Sequence, residues 1–257
     1  MDPVTGSTLF VARNLLPTLT ILLGHSDHYC PITTATAVLV ALYRYVGDVR
    51  MVLSDRSIKE AIAAGTIRIE PYSLRDVQPA SVDFHLANKI LVFRNSTLPY
   101  IDLRKEVPNL TDEVTIEDDE PFMLHPGEFV LGSTLEKLTL SNSLVARIEG
   151  KSSLGRLGLM IHSTAGFIDP GWSGNLTLEL ANVSRLPITL YSGMRIGQIS
   201  FQQMTTEVDF PYGSKELSSR YQGQESPTAS RAHLDFDSHI KRSLEPTTEF
   251  ALRCCNY

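Results

Sequence analysis

The sequence predicts a mainly β domain, an antiparallel sandwich or barrel with a few short helices. Apolar and polar residues alternate in several short runs, such as Val82, Phe84 and Leu86. This period of two is typical of strands that bury one face. Turn residues such as Ser192-Gly193 separate the runs, at intervals of roughly 8–12 residues. No internal repeat or low-complexity tract interrupts the pattern.

The first fifty residues differ in character from the rest of the chain. They contain two apolar runs, residues 15–23 and 35–43, and both are too short to span a bilayer. A signal peptide is one alternative, because Arg13 precedes the first run, but no small-residue cleavage pattern follows it. We expect Met51 to be the true start, which makes residues 1–50 an N-terminal extension outside the native fold.

A short helix is predicted directly after Met51. Ser54 or Ser57 can cap its first turn, and Ser57 and Glu60 have the spacing of a capping box. Gly65 ends the helix. Its single apolar face is formed by Ile58, Ala61 and Ile62.

Short strands are expected from there to about Gln203. The alternating pairs and triplets that predict them are Val82/Phe84/Leu86, Phe129/Leu131, Leu176/Leu178/Leu180, Ile188/Leu190 and Ile196/Ile199.

After Phe210 the composition becomes polar and rich in glycine and serine. Such a segment has too little apolar surface to form a core of its own. Residues 211–231 are therefore predicted to be either a disordered tail or a lid that closes over a ligand. We expect one domain over residues 51–235, followed by a loose tail over residues 236–257.

The bulk properties exclude several classes of partner. A net charge of −6 and a pI of about 5.6 argue against non-specific binding to nucleic acid or to an anionic membrane. The three cysteines, Cys30, Cys254 and Cys255, form no C-x-x-C pair, which favours a reducing, cytoplasmic location. The zinc deaminase signature, H-x-E followed by P-C-x-x-C, is absent from the sequence, so no zinc is expected.

One region concentrates groups suited to chemistry. Residues 150–156 read Gly-Lys-Ser-Ser-Leu-Gly-Arg, and residues 166–171 and Glu179 follow closely. Glycines allow backbone N–H groups to approach an anion, and the two cations and two hydroxyls can bind phosphate. A carboxylate among apolar residues, as at Glu179, is suited to proton transfer. The region therefore predicts a site for a phosphorylated ligand with acid–base chemistry at its other end.

A Walker-type phosphate loop is excluded. That motif needs a glycine five positions before the Gly-Lys pair and a long helix after it. The first position holds Val145, and residues 157–161 resemble a strand.

Several blocks in order resemble the dCTP deaminase family, which is related to the trimeric dUTPases. The resemblance covers nearly all of residues 51–231. The blocks are Gln78-Pro79-Ala80-Ser81-Val82-Asp83, His125-Pro126-Gly127-Glu128, residues 150–156, Ile168-Asp169-Pro170-Gly171, Leu178-Glu179, Gly193-Met194 and Tyr221-Gln222-Gly223-Gln224. The resemblance implies a distorted, dUTPase-like β-barrel that assembles as a homotrimer with active sites at subunit boundaries.

The resemblance also separates two branches of the family. Deaminases that release dUTP tend to carry His-Arg after the alanine of this motif, whereas the bifunctional branch carries Gly-Phe. This chain has Ala165-Gly166-Phe167. It therefore resembles the branch that converts dCTP to dUMP, supplying thymidylate synthesis.

The resemblance implies a set of catalytic roles. Glu179 would take a proton from water and deliver it to N3 of cytosine. The Ser152 hydroxyl and the backbone carbonyl of Ala165 would hold that water. Arg156 would stabilise the charge that develops around it.

The resemblance further implies how the nucleotide and its Mg²⁺, bound through the phosphates, are held. The triphosphate would contact residues 151–156 together with Arg220 and Gln224, and Tyr212 would hold the ligand. Asp169 would contact the deoxyribose and orient the water for the second reaction. Arg220 stands where the family usually has lysine, which changes the geometry of that contact. The implied nucleotide-binding residues are Lys151, Ser152, Ser153, Leu154, Gly155, Arg156, Asp169, Thr177, Leu178, Glu179, Gln198, Tyr212, Arg220 and Gln224.

Simpler interpretations stand beside these roles. Glu179 taken alone fits a strand residue in a buried ion pair, Asp169 fits a turn carboxylate, and His162 is predicted to be structural. At the level of function, the alternatives are a deaminase that releases dUTP, a non-catalytic nucleotide sensor and a simple dUTPase. Feedback inhibition by dTTP is a further expectation from the family.

Overall fold

The computed structural model describes residues 52–94, 100–162 and 165–236. The predictions for residues 1–50 and for the tail beyond residue 236 lie outside the described residues. The described chain is mainly β, with thirteen strands, two short α-helices and two 3₁₀ turns, which confirms the predicted fold class.

The helices are α1 (Asp55–Ala63) and α2 (Ser152–Gly155), and the 3₁₀ turns cover Leu74–Asp76 and Ala232–Asp235. The strands are β1 (Ile67–Glu70), β2 (Val77–Gln78), β3 (Ser81–His85), β4 (Lys89–Phe93), β5 (Thr111–Thr115), β6 (Phe122–Leu124), β7 (Phe129–Leu140), β8 (Leu144–Gly150), β9 (Leu159–Met160), β10 (Phe167–Ile168), β11 (Ser173–Asn182), β12 (Ile188–Leu190) and β13 (Arg195–Gln203).

Helix α1 is the helix that the sequence predicts. Ser54 is its N-cap, and the Ser54 hydroxyl accepts a hydrogen bond from the backbone N–H of Ser57. Ser57 therefore lies inside the first turn, and the predicted capping box between Ser57 and Glu60 is wrong. The physical reason is that Ser54 already satisfies a free N–H of the first turn. Ile58 is fully buried, and Gly65 follows the helix with a φ of 75°.

All strand pairs are antiparallel, and the described strands form three sheets. The largest has the order β5-β4-β7-β11-β9, with β1 also paired to β7. The second has the order β10-β8-β13-β3-β2, and β12 pairs with β6 alone. Among the described strands these sheets do not close into one continuous barrel. They enclose a single apolar core.

Strand β11 carries both core and surface residues in strict alternation. Leu176, Leu178 and Leu180 face the core and are at most 5% exposed. Thr177 and Glu179 therefore project from the opposite face, since side chains alternate along a strand. The predicted alternation in this segment is confirmed.

The C-terminal segment, residues 211–236, packs against that opposite face of β11. The backbone N–H of Asn175 donates to the carbonyl oxygen of Gln224 at 2.9 Å, and the backbone N–H of Gly223 donates to the carbonyl oxygen of Ser173 at 2.8 Å. The Gln224 side-chain amide donates to the Thr177 hydroxyl at 3.1 Å. A segment too polar to form its own core is held here by hydrogen bonds to a strand edge and surface.

Within the part of the chain that the structure describes, no helix has the length and apolar character needed to cross a membrane.

Candidate active site

Most of the predicted site residues line three separate depressions. We call them the Lys151 groove, the Asp169 cavity and the Glu179 cavity, after a residue in each. The Lys151 groove is formed by Gly150, Lys151, Ser152, Ser153, Gly155 and Gln198. The Asp169 cavity includes Ala165, Phe167, Asp169, Thr177, Tyr212 and Gln224, and Glu179 lines the third depression.

The Lys151 groove is built where β8 ends and α2 begins, with a volume of about 400 Å³. Ser152, Ser153 and Arg156 are exposed, whereas Leu154 packs against the core and anchors the turn. Gln198 reaches the groove from β13. Hydroxyls, a glycine-containing backbone and one cation, Lys151, thus meet at one open surface, which is the composition expected of a phosphate site.

The Lys151 ammonium is already paired. Its Nζ lies 2.6 Å from Oδ1 of Asp83, whose side chain is only 2% exposed. The same carboxylate faces Arg195 Nε at 3.8 Å and accepts a hydrogen bond from the Gln78 amide at 3.4 Å. The groove is therefore fastened to β3 by a buried ion pair.

The network of charged side chains continues from Asp83, on the second sheet, toward the largest sheet. Arg195 Nη2 donates to Asp76 Oδ1 at 3.0 Å, and Asp76 lies 3.9 Å from His85 Nε2. His85 Nδ1 lies 2.5 Å from Glu136 Oε1, and the His85 backbone N–H donates to Glu136 Oε2 at 3.0 Å. Because His85 is on β3 and Glu136 is on β7, this network joins the two large sheets.

The Asp169 cavity, of about 220 Å³, lies beside the short strand β10. The Asp169 carbonyl oxygen accepts a hydrogen bond from Trp172 N–H at 3.2 Å, so the Asp-Pro-Gly sequence forms the expected turn. Gly171 is required there, because its φ is 85° and a Cβ would lie 2.5 Å from the Pro211 side chain. The turn leaves the Asp169 carboxylate exposed at the cavity.

Aromatic rings form one wall of this cavity. The ring centroids of Trp172 and Tyr212 are 5.3 Å apart. The Tyr212 hydroxyl accepts a hydrogen bond from Tyr221 N–H at 3.3 Å. Burial raises the pKa of the Tyr212 phenol, and this outweighs the backbone hydrogen bonds that lower it.

His162 also lines the Asp169 cavity. Both of its ring nitrogens are buried, and neither has a hydrogen-bond partner among the described residues. Buried polar atoms are normally paired with protein or water, so the ring presents unused polar capacity to the cavity. The sequence predicted only a structural role for His162, since no local pattern shows which surface a single histidine faces.

Two residues are predicted to distinguish the two branches, Gly166 and Phe167. Phe167 lines the same cavity, and Gly166 directly precedes it in the chain. A Cβ at Gly166 would approach the Ile148 carbonyl oxygen to 3.2 Å, so glycine fits this position better than a larger residue. The Phe167 ring is 60% exposed, and the Arg147 guanidinium lies 5.4 Å from its centroid.

The Glu179 cavity has a volume of about 270 Å³. Glu179 is half-buried on β11, and its backbone N–H donates to the Ile161 carbonyl oxygen at 3.1 Å. The neighbouring Leu178 is fully buried, so its side chain faces the core and only its backbone can meet a ligand. Apolar walls come from Phe93, Phe129 and Leu131, and the C-terminal segment contributes Ala229, Ser230, Ala232 and His233.

Arg220 does not line any of these three depressions. One arm of its guanidinium, Nη1, donates to the Arg231 carbonyl oxygen at 2.6 Å, and the other arm, Nη2, pairs with the carboxylate of Asp235. The predicted contact with phosphate stays a prediction.

Among the described residues, no group of three or more histidine, cysteine, aspartate or glutamate side chains is placed to hold a metal ion. In a single chain, the structure brings Ala165, Asp169, Thr177, Tyr212 and Gln224 to one cavity. It does not bring Glu179 and Ser152 to the same one.

Comparison with known proteins identifies the family. The dCTP deaminase-like family matches residues 52–204. A dUMP-forming dCTP deaminase of Thermobifida fusca is 56% identical over 186 residues, covering 72% of this chain and 95% of that protein. A protein of the same name from Corynebacterium glutamicum is 55% identical, with 72% of this chain and 98% of that protein covered.

A solved structure, the 2′-deoxycytidine 5′-triphosphate deaminase of Agrobacterium tumefaciens, is 26% identical with a TM-score of 0.48. The match covers 60% of this chain and 48% of that one. From the family match and the sequence relatives, the chain belongs to the dCTP deaminase-like family.

The first prediction concerns the ion pair that fastens the Lys151 groove. We expect Asp83→Asn to lower the free energy of unfolding by about 1–3 kcal/mol, because it leaves an ammonium without its charged partner. Lys151→Met should cost at least as much, since it leaves the Asp83 carboxylate, whose side chain is only 2% exposed, without its nearest cation. Urea unfolding curves with a common slope measure both changes.

The matched control is Asp112→Asn. Asp112 also pairs with an arginine, Arg94, but on the exposed strand β5, where ion pairs contribute little. If the Asp83→Asn variant is as stable as the unaltered protein, the buried ion pair does not hold the groove.

The second prediction concerns alkaline pH. Because the Tyr212 pKa is raised in the fold, the unfolded chain loses this proton first, and stability falls as pH rises above about 10. Below that pH the Tyr212 phenol is protonated in both the folded and the unfolded state, so it adds no pH dependence to the stability. Tyr212→Phe should flatten the decline in urea midpoint between about pH 9 and 11, while Tyr100→Phe, at an exposed position, should not. If the urea midpoint declines in parallel in the unaltered protein and in both variants, the raised Tyr212 pKa is not the cause of the loss of stability.

Proposed function

We propose that the protein is a hydrolase that deaminates dCTP and then hydrolyses the resulting dUTP to dUMP and pyrophosphate. The main support is the relative from Thermobifida fusca, named a dUMP-forming dCTP deaminase, which is 56% identical over 95% of its length. The clustering of the residues implied for nucleotide binding around the Asp169 cavity and the Lys151 groove agrees with it.

In the proposed deamination, water adds to C4 of cytosine and ammonia leaves. Glu179 takes a proton from the water and delivers it to N3. The position of Glu179 supports this role, because the residue is half-buried and Phe129 and Leu131 line its cavity, which partly removes it from bulk water. The Ser152 hydroxyl and the Ala165 carbonyl hold the attacking water, and Arg156 stabilises the developing negative charge.

The substrate is the magnesium complex of the nucleotide, with the metal carried on the phosphates. The triphosphate binds in the Lys151 groove, where Ser152, Ser153, Gly155 and Gln198 supply hydrogen bonds. The deoxyribose lies in the Asp169 cavity against the Trp172 and Tyr212 rings. Thr177 and Gln224, already hydrogen-bonded to each other, close the same cavity from the strand and from the C-terminal segment.

In the second reaction, water attacks the phosphate chain of dUTP, and pyrophosphate leaves with the released electron pair. Asp169 is the residue proposed to orient this water, because its exposed carboxylate lies at the rim of the cavity. Mg²⁺ on the phosphates neutralises charge on the leaving group. Gly166 and Phe167 support the dUMP-forming branch over release of dUTP.

We further propose a homotrimer whose active sites combine residues of two copies. In one chain, Glu179 lines one cavity while Ser152 lines the Lys151 groove. A second copy that brings its groove to the first copy's Glu179 would complete the site. We also propose dTTP as a feedback inhibitor at this site, because it differs from the intermediate dUTP by one methyl group.

The nucleotide-processing domain is proposed to span residues 51–235, with residues 211–231 as its lid. A low cysteine content without a C-x-x-C pair supports a cytoplasmic location.

The third prediction tests the products. Incubation of the purified protein with dCTP and Mg²⁺ should release ammonia, pyrophosphate and dUMP in equal amounts, resolved by ion-exchange chromatography. Accumulation of dUTP without pyrophosphate would instead identify a deaminase that releases dUTP. Turnover of dUTP alone would identify a simple dUTPase, and inertness toward both would favour a sensor.

The fourth prediction tests the proposed base. Glu179→Gln keeps the size of the side chain but removes the proton acceptor, so dCTP turnover should fall by about 10²–10⁴-fold. Binding of dCTP, measured by calorimetry, should persist because the groove and the Asp169 cavity are unchanged. Glu113→Gln is the control, since Glu113 is an exposed residue of β5 paired with Lys89. Equal turnover in the two variants would exclude Glu179 as the base.

A further inference from the structure

We propose that Ser81 is a positioning residue, which orients the side-chain amide of Gln198 as a hydrogen-bond donor toward the phosphates in the Lys151 groove. This inference rests on the proposed function, in which Gln198 contacts the triphosphate. Gln198 lines the groove, and Ser81 lies buried behind it.

The first support is the place of Ser81 on β3. Ser81 is 8% exposed, and the first four residues of its strand are all buried. A buried hydroxyl needs a hydrogen-bond partner, and the Ser81 hydroxyl donates to Oε1 of Gln198 at 3.2 Å. Because Val82 lies in the apolar core, Ser81 and Asp83 share the other face of the strand.

The second support is the register of the strands. Gln198 on β13 lies opposite Asp83 on β3 and opposite Glu149 on β8. Cross-strand neighbours point to the same face of a sheet, and a long side chain also reaches the diagonal neighbour, which here is Ser81. Asp83 holds Lys151 of the groove at 2.6 Å. Ser81 holds Gln198 in a similar way, so β3 supports the groove through two buried side chains.

The third support is the effect of this hydrogen bond on the amide. An amide carries its acceptor oxygen and its two N–H donors on one carbon atom, so a partner that fixes the oxygen also fixes the donors. With Oε1 held by Ser81, Nε2 is the group that Gln198 turns to a ligand in the groove. An ionised phosphate oxygen only accepts hydrogen bonds, so the reversed amide would repel it. Ser81 therefore selects the orientation that can bind phosphate.

This orientation matters because the groove has little free positive charge. Its one cation, Lys151, is already paired with Asp83. Neutral donors must then contribute to the binding of an anion. A glutamine that is held in its binding orientation before the ligand arrives avoids part of the side-chain ordering that binding otherwise costs.

The test compares Ser81→Ala, Gln198→Met and the double variant. The first readout is the binding of inorganic tripolyphosphate with Mg²⁺, measured by calorimetry, which requires no turnover. Ser81→Ala should weaken this binding about fivefold, as expected for the loss of one net hydrogen bond. Gln198→Met should weaken it at least as much. The double variant should bind as tightly as Gln198→Met alone, because Ser81 acts through Gln198.

Two variants serve as matched controls. Ser81→Thr keeps the hydroxyl and should bind tripolyphosphate like the unaltered protein. Ser143 pairs its hydroxyl with that of Ser141 at 3.1 Å, just before β8 begins, whereas the groove lies where β8 ends. Ser143→Ala should therefore leave the binding unchanged.

A further variant tests the donor while leaving Ser81 in place. Gln198→Glu keeps the size of the side chain but replaces the N–H donors with an oxygen. It should weaken the binding of tripolyphosphate at least tenfold. This result is informative even if Ser81→Ala does not fold.

The second readout is kinetic. Ser81→Ala should raise the KM for dCTP about fivefold and leave kcat for ammonia release within twofold. The reason is that a phosphate contact away from the cytosine ring binds the ground state and the transition state of deamination equally. A variant that only contains less folded protein would instead show a lower apparent kcat at the same KM.

The proposal is wrong if Ser81→Ala binds tripolyphosphate as tightly as the unaltered protein, or if it weakens Gln198→Met by a further fivefold. It is also wrong if Gln198→Glu binds normally, or if the unaltered protein does not bind tripolyphosphate. If the protein binds tripolyphosphate but does not turn over dCTP, the proposed function fails. The binding comparison then still decides whether Ser81 orients Gln198.

Discussion

The whole site depends on the alternation of β11 between two faces. Leu176, Leu178 and Leu180 fix the strand in the core, and this places Thr177 and Glu179 on the other side. A slip of one residue would bury the carboxylate and expose the leucines. Pairing with β7 also includes an irregularity between Asn175 and Thr177, at which the Thr134 hydroxyl accepts from Leu176 N–H at 2.9 Å. The position of Glu179 is thereby set by packing before any ligand is present.

A second constraint acts on the Lys151 groove. Short turns between strands are usually the mobile part of a β fold, yet here the turn begins at a cation held by the buried Asp83. The network that continues through Arg195 and His85 to Glu136 connects this turn to the other large sheet. Burying one of these charges without its partner would cost free energy. The network therefore favours the arrangement of strands that keeps the charged partners together. The start of the groove is consequently tied to β3 by a charged contact.

Local pattern predicted most of the fold, whereas most of the candidate site residues followed from the family resemblance, and long-range pairing accounts for the contacts that both missed. The β11 alternation and helix α1 follow from neighbouring residues, so sequence sufficed for them. The predicted strand over residues 157–161 is only Leu159–Met160 in the structure, because α2 and its turn occupy the preceding residues. Asp83 lies 68 residues from Lys151, and no periodicity indicates that partnership. The cavity-facing ring of His162 and the engagement of Arg220 likewise depend on segments brought together only by folding.

The charges at the candidate site limit how an anionic ligand can be held. The molecule as a whole carries a net charge of −6, so attraction for a triphosphate must be local. Two of the three cations predicted to meet it are compensated: Lys151 by Asp83, and Arg220 by Asp235. Arg156 is exposed and forms no ion pair with any residue in the described ranges. In the proposed complex, recognition would then depend on Arg156, on serine hydroxyls and backbone N–H groups, and on the charge that a phosphate-bound Mg²⁺ would neutralise. We therefore expect the proposed site to favour a metal-complexed polyphosphate over a bare anion, because it supplies many hydrogen bonds but little uncompensated positive charge.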